Sequence, residues 1–115
     1  MYFLAVRNLF RFDESDPVFN RELAWGILRN LGFVEQQLGN LEAAKQLYLQ
    51  PLKFFRELGG RGNMTTLFVR LAAVEEQIGN CTTALAYASE ALDWSQRLGM
   101  IQEQMQAEVI SARLK

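Results

Sequence analysis

The stretch "EQQLGNLEAA", Glu35–Ala44, returns forty residues later as "EEQIGNCTTA", Glu75–Ala84. Extending the comparison outward lays residues 24–59 over 64–99. It pairs Leu31 with Leu71, Val34 with Val74, Ala44 with Ala84, Leu52 with Leu92, and Leu58-Gly59 with Leu98-Gly99. Chance would match about one position in sixteen to twenty, and the observed agreement is several times that. A fixed period of this length marks a repeat architecture, in which each unit buries its apolar face by stacking on the next.

Within each unit the apolar spacing is helical. Ile27, Leu28, Leu31, Val34 and Leu38 fall on one face, as do Leu67, Phe68, Leu71, Val74 and Ile78. Gly39 and Gly79 then suit the left-handed residue that ends a helix, and Asn40 and Asn80 suit the cap of the next. Second helices follow over about Leu41–Leu58 and Cys81–Leu98, and "GGRGN", Gly59–Asn63, reads as a short polar turn between units. Pro51 removes an amide inside the first of these helices and is expected to bend it near Leu47. Tyr2–Phe12 forms a further apolar-rich helix before the break Asp13–Pro17, and Met100–Leu114 another, with Ile101, Met105, Val109 and Ala112 on one side. Both ends have the pattern of a segment cut from a longer array.

Bulk properties narrow the function classes. The 115 residues are half apolar and 22% charged, the composition of one globular domain. The net charge is −1 and the 12 Lys and Arg are scattered, which argues against nucleic acid or anionic lipid as a partner. With no His and a single Cys, neither a disulfide framework nor a His-based metal site can form, and a cytoplasmic setting follows. The run Tyr2–Val6 is too short for a signal core or a membrane span.

No catalytic constellation emerges. Glu35 and Glu75 recur at the repeat period, so each stands in an equivalent environment; this points to a solvated face or inter-helix polar contacts rather than to an acid–base pair. Cys81 follows a capping Asn, where a helix N-terminus lowers a thiol pKa. Its counterpart is Leu41, however, which favours a small buried role. Trp25, Phe33, Phe68 and Trp94 lack interleaved basic residues and suit packing better than base stacking.

Leu28, Leu31-Gly32, Gly39, Ala44, Tyr48 and Leu52, with Phe68, Leu71-Ala72, Gly79, Ala84, Ala88, Ala91 and Leu92, resemble the pattern of tetratricopeptide repeats. The forty-residue period and "FFRELGGRGN", Phe55–Asn63, are similar to a longer subclass found in arrays of bacterial regulators and signalling ATPases. The resemblance implies an all-α, right-handed α-α superhelix of antiparallel helix hairpins. A single domain over 1–115 would comprise a remnant helix and linker (1–19), repeat 1 (20–60), repeat 2 (61–99) and a partial repeat or capping helix (100–115). It places the small residues Gly32, Ala44, Ala72 and Ala84 where paired helices approach closely.

The resemblance also implies a noncatalytic protein-interaction module without cofactor or metal, which binds a peptide or partner helix in a concave groove lined by the first helices. Groove positions by this pattern include Gly26, Arg29, Phe33, Gln36 and Gln37 in repeat 1, and Val69, Ala73, Glu76 and Gln77 in repeat 2. Arg29 and Arg70 would offer an acidic ligand forked contacts. The alternative is a homo-oligomer paired through apolar array ends, including the Met105/Val109 face.

Overall fold

The computed structural model describes residues 17–114. They form five helices and, among themselves, no strand: α1 (Pro17–Gln37), α2 (Leu41–Leu58), α3 (Arg61–Ile78), α4 (Cys81–Leu98) and α5 (Ile101–Leu114). The expected helix Tyr2–Phe12 lies outside the described residues. Each helix packs antiparallel on the next, and the first helices of successive units also meet, α1 with α3 and α3 with α5. The second helices α2 and α4 do not approach each other. The stack is therefore tighter along its first-helix layer.

The junctions repeat one device. Gly39, Gly59, Gly79 and Gly99 all have left-handed φ, between 69° and 104°, so they recur every twenty residues. At the first corner the Asn40 amide donates to Glu35 O at 2.9 Å and the Gly39 amide to Gln36 O at 3.1 Å. This double closure satisfies the last carbonyls of the helix. The same pair recurs at Gly79-Asn80.

Two expectations about the corners need correction. The Asn side chains make no capping bond to the following helix. They reach back instead: Asn40 Nδ2 donates to Glu35 Oε2 at 2.8 Å and Asn80 Nδ2 to Glu75 Oε2 at 3.3 Å. This contact accounts for the recurrence of Glu with Asn five residues on. "GGRGN" is not a turn throughout, because α3 begins at Arg61. Gly60 lies so close to Phe55 that a Cβ would meet its Cδ1 at 2.9 Å, and Thr65 Oγ1 ties the first turn of α3 by donating to Arg61 O at 2.8 Å.

The main core runs from α2 to α5, and Ala24 and Leu28 of α1 form a smaller cluster with Leu47. Tyr48, Leu52 and Phe55 of α2 join Leu67, Phe68 and Leu71 of α3, Ala88 and Ala91 of α4, and Ala107 and Ile110 of α5. Helix α2 runs unbroken through Pro51, whose ring is buried. Gly32 faces Tyr48 so closely that a Cβ would stand 2.7 Å from Cε1. The equivalent pair in repeat 2 is Ala72 and Ala88, both fully buried. A glycine opposite tyrosine in repeat 1 thus takes the place of two alanines in repeat 2. The expected apolar face is incomplete: Val34, Leu38 and Ile78 are exposed. Leu38 and Ile78 stand at the corners, beyond the reach of the partner helix. Val34 lies on α1, which has only α2 and α3 against it among the described helices.

Candidate functional site

The residues expected to line the first-helix surface make contacts with one another. The Arg70 guanidinium lies over the Phe33 ring, 4.4 Å from its centroid, joining α3 to α1. Gln36 Nε2 donates to Gln77 Oε1 at 2.9 Å, and Gln36 Oε1 accepts from Tyr48 OH at 3.0 Å. Glu76 receives a fork from Arg113 on α5, with Nε at 3.0 Å and Nη2 at 2.8 Å. Burial pushes the Tyr48 phenol up to about 12, with the positive charges of Arg70 and Arg29 opposing.

Phe33 remains 39% exposed and Gln37 and Gln77 are exposed. Ala73 is half-buried against the core. Val69 differs from the expectation of a groove contact: at 6% exposure it belongs to the core cluster and offers no surface.

Arg29 is half-buried and, among the described residues, makes no ion pair. It borders a cavity of about 270 Å³ to which α1 contributes Trp25, Gly26 and Arg29, α2 contributes Pro51 and Phe55, and α3 contributes Asn63 and Leu67. Trp25 also packs on Phe54 with ring centroids 5.4 Å apart. Sequence reasoning named Gly26 and Arg29 as groove positions but missed the rest of this cavity. A signal was present in the disagreement between copies, Trp25 against Thr65, Gly26 against Thr66 and Arg29 against Val69.

The glutamates have separate partners. Glu75 is 1% exposed, with Lys45 Nζ 3.1 Å from Oε1. The hydrogen bond to Glu75, aided by its charge, holds the Lys45 ammonium above the usual lysine range despite burial. Glu75 thus makes the anticipated inter-helix polar contact, whereas Glu35 is half-exposed and is bonded by Asn40 of its own corner. The expected equivalence of the two environments does not hold, because among the described residues Lys45 of α2 pairs with Glu75 alone. Cys81 is exposed, correcting the buried role expected from its counterpart Leu41; Leu41, with a longer side chain, is half-buried against the core from the same corner position. Phe68 is buried, and Trp94 lies between Arg61 and Arg97, at 4.9 and 5.3 Å from their guanidinium carbons. Among the described residues no His, Cys, Asp or Glu group is arranged to hold a metal ion, and no helix is long and apolar enough to cross a membrane.

Paired antiparallel helices, left-handed glycine corners and small residues at the helix contacts define a helical-repeat protein. The sequence profile of the family described as "Tetratricopeptide repeat" matches residues 22–93, more than half of the chain, and the chain belongs to that family. No curated protein sequence matches it closely enough to serve as a relative.

Proposed function

We propose that the chain is a noncatalytic interaction module that binds a peptide or partner helix along its first helices. The observation that carries this reading is the Phe33–Arg70 pair, an exposed aromatic ring with a guanidinium stacked on it where two first helices meet. Such a pair combines apolar area with a directional donor, the combination that dominates many protein interfaces. The forty-residue period supports assignment to the longer subclass resembling bacterial regulator and signalling-ATPase arrays, with a cytoplasmic setting and the repeat boundaries 20–60 and 61–99.

The test is selection of a random twelve-residue peptide display library on the immobilised 115-residue chain. Enriched peptides should lose binding at least tenfold to Phe33→Ser/Arg70→Gln while circular dichroism is unchanged. Absence of enrichment, or undiminished capture by the folded variant, sinks the reading.

A second reading is favoured by the exposed stripe Ile101, Met105 and Val109, at 70, 61 and 52%. Here two copies pair through α5. Light scattering that stays at the monomer mass up to high protein concentration dismisses it.

A further inference from the structure

We infer that the cavity between α1, α2 and α3 is a subsite for a carboxylate side chain, Asp or Glu, of the bound peptide; this rests on the peptide-binding reading above. The repeat supplies its own comparison. Forty residues on, the positions matching Trp25, Arg29, Pro51, Phe55 and Leu67 are Thr65, Val69, Ala91, Ser95 and Ala107, and all five are buried, at 6% exposure or less. The second junction is closed at these five positions, while the counterparts of Gly26 and Asn63, Thr66 and Glu103, are half-buried. The first, built on the same backbone plan, holds an open space of about 270 Å³. Larger residues stand at all five of those positions, yet the space remains. One reason is Gly26, where an added Cβ would meet nothing within 4 Å. Another is the looser approach of α1 to α3 compared with that of α3 to α5.

The lining selects the ligand. Arg29 is its one charged residue, and the lining holds no carboxylate. A half-exposed guanidinium without a counter-ion among the described residues keeps its forked donors available to a ligand, and a planar carboxylate matches that fork with two parallel bonds. The Asn63 carboxamide, on the facing helix, adds a further donor. Pro51, Phe55 and Leu67 supply apolar wall for the methylene stem of an acidic side chain. The volume suits one side chain and falls below the usual range for a cofactor site. Arg29 is the single charge of the lining and balances one negative charge, so a monoanionic carboxylate fits better than a dianionic phosphate.

Peptides enriched in the display selection provide the experiment. Each is resynthesised with Asp→Asn or Glu→Gln replacements, and affinities for the intact chain, Arg29→Gln and Gly26→Leu are measured by fluorescence anisotropy. The expected result is an acidic position whose neutralisation weakens binding to the unsubstituted chain about tenfold or more and has no effect on Arg29→Gln. Gly26→Leu, which places bulk in the open space of a helix that favours leucine over glycine, should lose the same factor with circular dichroism unchanged. Enriched peptides that depend on Phe33 and Arg70 but carry no acidic position coupled to Arg29 overturn the subsite alone. No enrichment overturns the peptide reading and the subsite together. Competition by millimolar inorganic phosphate as strong as that by the acidic peptide overturns the assignment to carboxylate.

Discussion

Single residues in this array are decided by what faces them across a helix pair. Gly32 and Gly26 lie six residues apart on α1 and should respond oppositely to the same change. At Gly32 a Cβ would stand 2.7 Å from the fully buried Tyr48 ring. Gly32→Ala therefore incurs about 1–3 kcal/mol of overpacking against about 1 kcal/mol of helix propensity, a net loss. Gly26→Ala meets open space and should gain up to about 1 kcal/mol. Urea unfolding of both variants checks the pair of signs. The resemblance to a repeat pattern placed Gly32 at a close approach but did not reveal its partner; only its compensation, the two alanines Ala72 and Ala88 of repeat 2, identifies Tyr48 as the bulk that glycine accommodates. Tyr48 also sets a pH dependence. Its phenol is raised from 10.0 to about 12 by burial, so in the interval between those values the unfolded chain releases the proton first. Stability is complete below pH 10 and falls as pH rises toward 12, by on the order of 2–3 kcal/mol from this group. Lys45, raised above 10.5 by Glu75, acts with the same sign: its ion pair is intact below that pH and lost as pH rises through the higher folded value. Tyr48→Phe should cost about 1 kcal/mol at pH 8 through the lost bond to Gln36, yet flatten the alkaline decline. A variant whose stability falls as steeply as the parent between pH 10 and 12 contradicts this account.

At the scale of helices and corners, the forty-residue repeat made the fold legible because its apolar positions keep a helical period and its glycines keep their place. The bounds expected for the second helices, Leu41–Leu58 and Cys81–Leu98, are those of α2 and α4. The start of α3 was hidden because Gly60, Arg61, Gly62 and Asn63 have the composition of a turn. The twenty-residue spacing of the left-handed glycines carries the missing information, since a helix that begins two residues after Gly99 implies one that begins two residues after Gly59. The side-chain role of Asn80 was not legible, because capping and back-bonding use the same residue type at the same position. Asn80→Asp separates them. If Asn80 capped α4, aspartate would be neutral or stabilising at that helix N-terminus. Because its Nδ2 instead donates to Glu75 Oε2, aspartate sets its own carboxylate against the buried one of Glu75. The expected outcome is a loss of about 1–2 kcal/mol at pH 7, read as a lowered thermal midpoint. Asn80→Ser, which can still cap, should also destabilise, although less.

For the molecule as a whole, a stack in which each repeat touches only its neighbours makes stability a sum of local interfaces, so the two faces of α5 should be separable by experiment. Ile110 and Ala107 belong to the core cluster shared with α2, α3 and α4, whereas Met105 and Val109 point away from it at 61 and 52% exposure. Ile110→Ala should cost about 2–5 kcal/mol by opening the core, while Met105→Glu should change the stability of the isolated chain by no more than about 0.5 kcal/mol. The position of Met105 is not evident from periodicity, since Ile101, Met105 and Val109 form a regular apolar stripe of the kind that normally turns inward. Here α5 instead turns Ala107 and Ile110 to the core and leaves the stripe to solvent. That inversion gives the pairing of two copies a clear signature. Association through this face stabilises the folded chain by mass action, so the thermal midpoint of the unsubstituted protein should rise with concentration, and Met105→Glu should remove the rise while leaving the low-concentration midpoint in place. A midpoint independent of concentration over a hundredfold range assigns the stripe no role between copies, and a rise that survives Met105→Glu moves the contact to another surface.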